Sequence, residues 1–148
     1  MRRAALLLTL AGCFPPIEGA RAYPEWHASV GSVALGGCAD VRVLPRKTGK
    51  EGLGLTMILR GRAPCAVSLK SIELEAGGAV HPAANVPAPL QLQSGDEVHA
   101  WVAIAFDGDA VWNDPAARDA TLVVRDAALG EARFDLHLTM EDRTRCEP

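Results

Sequence analysis

The chain has 148 residues, of which 49% are hydrophobic and 22% are charged, a balance that is typical of one globular domain and unlike that of disordered or fibrous proteins. The formal net charge is −3, and the Lys and Arg residues form no basic stripe, which argues against nucleic acid as a partner. Aromatic residues make up only 5% of the chain, so we expect a core of aliphatic side chains.

The N-terminus has the features of an export leader. Arg2 and Arg3 precede an apolar run from Ala4 to Leu10, and small residues and a proline pair follow. This order is typical of a secretory signal peptide, and the apolar run is much shorter than the roughly 20 residues that cross a bilayer. We therefore expect the protein to act outside the cytoplasm.

Two cleavage sites compete in this leader. The first, Leu10-Ala11-Gly12-Cys13, resembles the lipobox of bacterial lipoproteins. The resemblance implies that residues 1–12 are removed as the signal peptide and that Cys13 is lipidated. Its lipid would anchor the protein to a membrane of the cell envelope, on the periplasmic or outer-membrane side, and residues 13–28, which contain three prolines, would form a tether.

The second site is Ala20-Arg21-Ala22, a small-x-small pattern that ordinary signal peptidase cleaves. Cleavage there removes residues 1–22 and releases a soluble periplasmic or secreted protein. The sequence leaves both endings open, and both place the protein outside the cytoplasm.

Apolar residues alternate with polar ones along residues 29–141, which predicts β-strands. The clearest strands are residues 53–60, whose odd-numbered side chains are apolar, and residues 98–106, whose even-numbered side chains are apolar. A change of phase between Val67 and Ile72 predicts a β-bulge across Ser71. About seven strands and no amphipathic helix are predicted, so we expect an all-β fold, a two-sheet sandwich over residues 29–141 with a C-terminal tail at residues 142–148.

The spacing of strands and turns is similar to that of immunoglobulin-like or fibronectin-like domains. This resemblance implies an architecture and no functional residue, because such sandwiches have many unrelated functions.

Three cysteines follow Cys13, at positions 38, 65 and 146. If residues 40–44 and 53–60 are adjacent antiparallel strands, Cys38 and Cys65 lie at neighbouring strand ends. An oxidising compartment would let them form a disulfide. Cys146 lies in the predicted tail, where it is either free or exchanged into that bond.

The outward side of the strand at residues 98–106 is unusually apolar. His99 and Trp101 share it with Ala103 and Ala105, since residues two apart in a strand point the same way. Either residues 23–37 cover this row as an edge segment, or it is a binding surface.

Two groups of residues in the sequence contain side chains that can bind metal ions. The loop residues Asp107, Asp109, Asn113 and Asp114 offer the oxygen ligands that calcium prefers, but their spacing does not match an EF-hand and is typical of turn formation. The second group is the set of four histidines and two methionines that would suggest copper, namely His27, His81, His99, His137, Met57 and Met140. No cysteine lies beside them as a blue-copper site requires, so we predict no metal and no cofactor.

No nucleophile elbow, paired-acid motif or phosphate-binding glycine loop is present in the sequence. We therefore expect a non-enzymatic binding or assembly module of the cell envelope, held at a membrane by its N-terminal lipid and contacting an envelope protein or a glycan. A soluble periplasmic metal-handling protein and a structural spacer without a ligand remain as alternatives.

Overall fold

A computed structural model describes residues 23–29 and 31–141, and these residues form an all-β fold. Within them lie one short helix, Gly108–Asn113 (α1), a 3₁₀ turn, Pro115–Arg118, and eleven strands. The strands are Tyr23–Ala28 (β1), Val33–Leu35 (β2), Ala39–Gly49 (β3), Gly52–Gly61 (β4), Cys65–Val67 (β5), Leu69–Ala76 (β6), Ala79–Pro82 (β7), Leu90–Leu92 (β8), Glu97–Ala105 (β9), Asp119–Asp126 (β10) and Gly130–Glu141 (β11).

The strands form three antiparallel sheets. Sheet I has five strands in the order β1-β11-β10-β6-β7, sheet II has four in the order β2-β3-β4-β9, and β5 pairs with β8 in a small third sheet. The two larger sheets contribute to one buried core, an arrangement that is consistent with a β-sandwich. The prediction of about seven strands is wrong because strands of three or four residues, such as β2, β5, β7 and β8, are too short to show alternation.

The core is built from the apolar side chains that alternation assigned to the inside. Leu55, Met57 and Leu59 of β4 are fully buried, and Leu122 and Phe134 contribute to the same core from sheet I. Burial of each such side chain stabilises the fold by roughly 1.5–3 kcal/mol.

The N-terminal boundary of the fold differs from the predicted one. Residues 23–28 were assigned to the tether, but Tyr23–Ala28 forms β1 at the edge of sheet I and pairs with β11. Trp26, opposite Leu138, is only 4% exposed and anchors the strand in the core. Pro24 is compatible with this position because β1 is an edge strand.

Several predicted features lie outside the described residues. Cys13, both cleavage sites and the tether up to residue 22 precede them, and the tail at residues 142–148 with Cys146 follows them. The described residues contain no helix that is long and apolar enough to cross a membrane.

The disulfide between Cys38 and Cys65 is present, with the two Cα atoms 5.7 Å apart. Its origin is the predicted one: β3 and β4 are antiparallel neighbours, and Ala39 lies opposite Gly61. The two cysteines are therefore brought together by the ends of this pair of strands.

The change of phase near Ser71 corresponds to two irregularities. The register of β6 against β10 shifts between Ser71, which lies opposite Arg125, and Leu69, which lies opposite Asp126. Val67 belongs to a different sheet, because it pairs with Leu90 of β8. A bulge and a change of sheet together produce the slip in the sequence pattern.

Residues 107–119 contain helical turns that the sequence pattern did not predict. Asp107 is the N-cap of α1, and its Oδ1 accepts hydrogen bonds from the backbone N–H groups of Asp109 (3.0 Å) and Ala110 (3.3 Å). Asp114 caps the 3₁₀ turn by accepting from the N–H of Ala116 at 2.9 Å. Short aspartate-capped turns of this kind lack the length that amphipathic periodicity requires.

Candidate binding surface

The outer surface of sheet II carries the row that the sequence singled out. Alternate side chains of these strands point away from the core, and we call the surface that they form the Trp101 face. It comprises Asp40, Arg42, Leu44, Gly54, Thr56, Ile58, Arg60, Glu97, His99, Trp101, Ala103 and Ala105. His99 and Trp101 lie on it, as expected from their phase in β9. Trp101 is 51% exposed, although it is one of the largest apolar side chains of the protein.

The indole of Trp101 rests on a glycine of the neighbouring strand. A Cβ atom placed on Gly54 would stand 2.4 Å from Cζ2 of Trp101, which is far inside van der Waals contact. Glycine at position 54 therefore leaves the space that the benzo edge of the indole occupies, and the ring extends over β4 while half of its surface remains open to solvent.

A shallow depression of about 630 Å³ adjoins the indole. Its floor and rim include Gly52, Gly54, Ala103 and Ala105, and one basic and one acidic residue, Lys50 and Glu51, lie at one end. The small side chains make this part of the sheet flat and accessible, so a ligand could reach the indole from above.

The prediction that residues 23–37 cover this row is wrong. β1 belongs to sheet I, and β2 pairs with β3 at the opposite edge of sheet II, with β3 and β4 between it and β9. Residues 23–28 and 33–35 therefore do not lie beside Trp101, because Trp101 is on β9, at the edge of sheet II opposite to β2.

Residues 83–85 run along the free edge of β9 instead. Ala83 forms a bridge with Ile104, and the Asn85 amide donates from Nδ2 to the Trp101 carbonyl (2.8 Å) while its Oδ1 accepts from the Ala103 N–H (3.2 Å). Asn85 thereby satisfies two backbone groups of an edge strand, but it leaves the indole uncovered.

His99 is hydrogen-bonded to Glu97 at one end of the Trp101 face. Its Nε2 lies 2.6 Å from Oε1 of Glu97. This hydrogen bond lowers the pKa of the Glu97 carboxyl, and the positive charges of Arg60 and Arg42 act in the same direction. Glu97 therefore stays ionised and is already partnered.

The charge on the Trp101 face is unevenly matched. Its other carboxylate, Asp40, accepts a hydrogen bond from Nε of Arg62 at 2.9 Å. Arg42, Arg46 and Arg60, in contrast, form no ion pair with any residue in 23–29 or 31–141. A second shallow depression of about 370 Å³ lies at the β3 edge, and both Arg42 and Arg46 line it.

The outer surface of sheet I has the opposite character, because its charges are paired with one another. The guanidinium groups of Arg125 and Arg133 bind three carboxylates on β6 and β11, those of Glu73, Glu75 and Glu131. The hydrogen bond from Arg125 lowers the pKa of Glu73, and the same contact raises the pKa of Arg125. Val123 points outward beneath these side chains and is nevertheless fully buried.

The acidic loop and the histidines are engaged in other contacts. In the loop, Asp107 and Asp114 cap helical turns, and Asp109 lies 3.8 Å from Nζ of Lys50. His137 bonds to Asp119, and the remaining histidines and Met57 are likewise held by other partners: His27 by Thr139, His81 against the ring of Phe106, and Met57 within the core. Across the described part of the chain, no three His, Cys, Asp or Glu side chains are grouped so that they could hold a metal ion.

The sequence predicted the β9 row of the face, His99, Trp101, Ala103 and Ala105, but not the parts that β3 and β4 contribute. The alternation in β4 already indicated that Gly54 and Arg60 point outward, yet nothing in the pattern showed that Gly54 makes room for an indole. The hydrogen bonds of Asn85 to the edge of β9 could not be predicted from the neighbouring sequence, because their backbone partners are 16 and 18 residues away.

Comparisons of the chain with protein-family models, with curated proteins and with solved structures each found no match.

Proposed function

We propose that the protein is an extracytoplasmic binding module without enzymatic activity and that the Trp101 face is its binding surface. The observation that carries the proposal is the half-exposed indole of Trp101, which Gly54 accommodates beside an open depression. An exposed tryptophan on a rigid sheet offers a large contact area at low conformational cost, and such residues dominate binding energies at interfaces.

The second support is the contrast between the two sheets. Outward Val123 on sheet I is sealed by charged side chains, whereas the outward apolar row on sheet II stays open. Exposed apolar patches on a folded protein commonly mark interaction sites.

The proposal includes the expected location. Cleavage before Cys13 and its lipidation would hold the module at a membrane of the cell envelope; cleavage after Ala22 would release it into the periplasm or the medium. The disulfide between Cys38 and Cys65 is compatible with either oxidising location. An immunoglobulin-like strand arrangement belongs to the same proposal and stays a prediction.

Intact-mass analysis of the protein from a bacterial host tests the location. A diacylated Cys13 or a chain that begins at Tyr23 supports export, and each selects one of the two endings. An uncleaved chain in the cytosol would contradict the proposal.

Retention of envelope material tests the binding surface. Immobilised protein is incubated with solubilised envelope fractions, and bound protein and carbohydrate are both measured for the natural sequence, Trp101→Ala and Val80→Ala. Val80 is 58% exposed on β7, so its variant removes a comparable exposed apolar group elsewhere. We expect only Trp101→Ala to lose retention, with circular dichroism confirming that both variants fold; equal retention by all three would overturn the assignment of the surface.

A further inference from the structure

We infer that the ligand of the Trp101 face is an anionic polysaccharide, whose sugar rings stack on Trp101 and whose acidic groups bind Arg42 and Arg60. This inference rests on the proposed function and adds the chemical class of the ligand.

The indole and the depression beside it suit a sugar chain. A sugar ring presents a face of C–H groups that packs on an aromatic ring, while its hydroxyl groups point to the sides, where polar groups can bond to them. The depression at Trp101 is open and shallow, with small residues such as Ala103 and Ala105 along it. Such a surface admits a chain that continues past the indole, whereas small molecules are usually enclosed.

The sign of the ligand's charge follows from the arginines. Register places Arg42 opposite Ile58, and Ile58 in turn lies opposite His99. Arg60 lies opposite Asp40 on one side and Glu97 on the other, but these carboxylates already bind Arg62 and His99. The guanidinium groups of Arg42 and Arg60 thus remain available for an external anion.

These guanidinium groups are within reach of a ligand that also contacts the indole. Arg42 lies two strands from β9, about 10 Å across the sheet, and two residues, or about 7 Å, along it from the level of Trp101. Arg60 lies on the adjacent strand, four residues, or about 13 Å, along from Thr56, which is opposite Trp101. A chain of several sugar rings spans these distances. Guanidinium binds carboxylate, sulfate or phosphate through paired hydrogen bonds. The chain as a whole carries a net charge of −3, so this basic surface is a local feature.

An acidic peptide would offer similar charge, but the edges of sheet II are poorly suited to it. Extended peptides commonly bind by adding a strand to a free sheet edge. At the β9 edge, Ala83, Ala84 and Asn85 already bond to residues 101–104. At the opposite edge, β2 is only three residues long and pairs with residues 39–41 of β3. Beyond it, residues 26–29 line the depression beside residues 42–46 and limit the room for an added strand. The observations therefore favour a ligand that lies on the face.

The test uses three probes of graded chemistry: polygalacturonate oligomers, the same oligomers as methyl esters, and poly-glutamate of similar length. Binding is measured by calorimetry and by tryptophan fluorescence at low salt and at 0.5 M salt, a concentration at which exposed charges are strongly screened (Debye length on the order of 4 Å). The proteins are the natural sequence, Trp101→Ala, the double variant Arg42→Gln with Arg60→Gln, and Lys70→Gln. Lys70 is exposed on β6 and serves as the control for loss of a positive charge.

We expect polygalacturonate to bind and the methyl ester and poly-glutamate to bind at least about tenfold more weakly, a difference of about 1.4 kcal/mol. Trp101→Ala and the double arginine variant should lose binding by a similar factor, Lys70→Gln should not, and salt should weaken the interaction.

Other outcomes overturn the inference in distinguishable ways. Equal binding of the methyl ester would show a neutral glycan ligand, and equal binding of poly-glutamate would show an acidic peptide. If no probe binds while envelope material is still retained through Trp101, the anionic polysaccharide is wrong but the proposed function stands. If retention is also independent of Trp101, both fail.

Discussion

Replacement of Asp126 by alanine should destabilise the protein more than replacement of Asp96 or Glu73. Asp126 is only 8% exposed at the end of β10. Its Oδ1 accepts hydrogen bonds from the backbone N–H groups of Ala128 (2.8 Å) and Leu129 (2.9 Å), and its Oδ2 accepts from that of Ser68 (2.7 Å). One carboxylate therefore holds both the β10–β11 turn and the junction between β5 and β6.

The magnitude follows from these three bonds. Hydrogen bonds to charged groups contribute about 1.5–3 kcal/mol each, but a donor that water can reach after the mutation loses less. Ala128 is exposed, whereas Ser68 and Leu129 are half-buried. We assign about 0.5–1 kcal/mol to the first donor and about 1–2 kcal/mol to each of the others, which gives a loss of roughly 2.5–5 kcal/mol for Asp126→Ala. Asp126→Asn keeps one acceptor oxygen and should lose about half of that.

Equilibrium unfolding in urea measures both losses. Tryptophan fluorescence, to which the buried Trp26 contributes, reports on unfolding of the core, and the midpoint should fall while the slope with urea stays constant. Asp96→Ala is the matched control, because Asp96 accepts a single bond from the N–H of Gln93 (2.7 Å) in an exposed turn. A destabilisation of Asp126→Ala within about 1 kcal/mol of that of Asp96→Ala would refute the reasoning, since one bond would then be worth as much as three.

Three further predictions concern separate parts of the fold. In Gly54→Val the new side chain would occupy the space of the indole, so we expect the ring to move outward and acrylamide quenching of tryptophan fluorescence to rise; unchanged quenching would contradict the packing of Trp101 on Gly54. Replacing Cys38 and Cys65 by serine opens a loop of sequence separation 27 and should lower the free energy of unfolding by about 3–4 kcal/mol, which urea unfolding of the oxidised parent and the variant can check. The contact with Arg125 lowers the pKa of Glu73 in the folded state, so its stabilising contribution is present at neutral pH and is lost as the pH falls below about 4.3 towards the folded-state pKa. Urea midpoints of the parent and Glu73→Gln should therefore differ at pH 7 and converge in acid, and a difference that grows on acidification would show the sign to be wrong.

Long strands were predictable from the sequence because their two faces meet different environments. The alternation in β4 separates buried Leu55 and Met57 from outward Gly54 and Thr56, and the same holds for β9. Since β3 and β4 are joined by a short turn, their antiparallel pairing follows from proximity in the chain. The disulfide could then be predicted from the strand ends alone.

The N-terminal strand could not be predicted in the same way. β1 pairs with β11, and the partners Trp26 and Leu138 are far apart in sequence. The prolines before and within this segment resemble those of a spacer, so local composition favoured a tether over a strand. Residues 23–28 form a strand because they pair with β11 and because Trp26 is buried in the core. Neither contact can be predicted from the neighbouring sequence.

The binding surface was predictable in part for a related reason. Phase within β9 places Trp101 outward, but the neighbours that give the face its chemistry come from β3 and β4. The row that joins Arg42, Ile58 and His99 is a consequence of register between three strands. A sequence pattern reports which side of a strand a residue occupies, and the partners across the sheet require the structure.

The two sheets show how the same local pattern leads to different surfaces. Both place an apolar side chain outward near the middle of the chain's longer strands, Val123 on sheet I and Trp101 on sheet II. On sheet I, arginines and glutamates on adjacent strands face one another, so their ion pairs close over Val123. On sheet II, Asp40 and Glu97 are bound by Arg62 and His99 at one end of the face, and within the described residues Arg42 and Arg60 form no ion pair. A ligand that carries acidic groups and flat apolar faces would match both the unpaired arginines and the open indole.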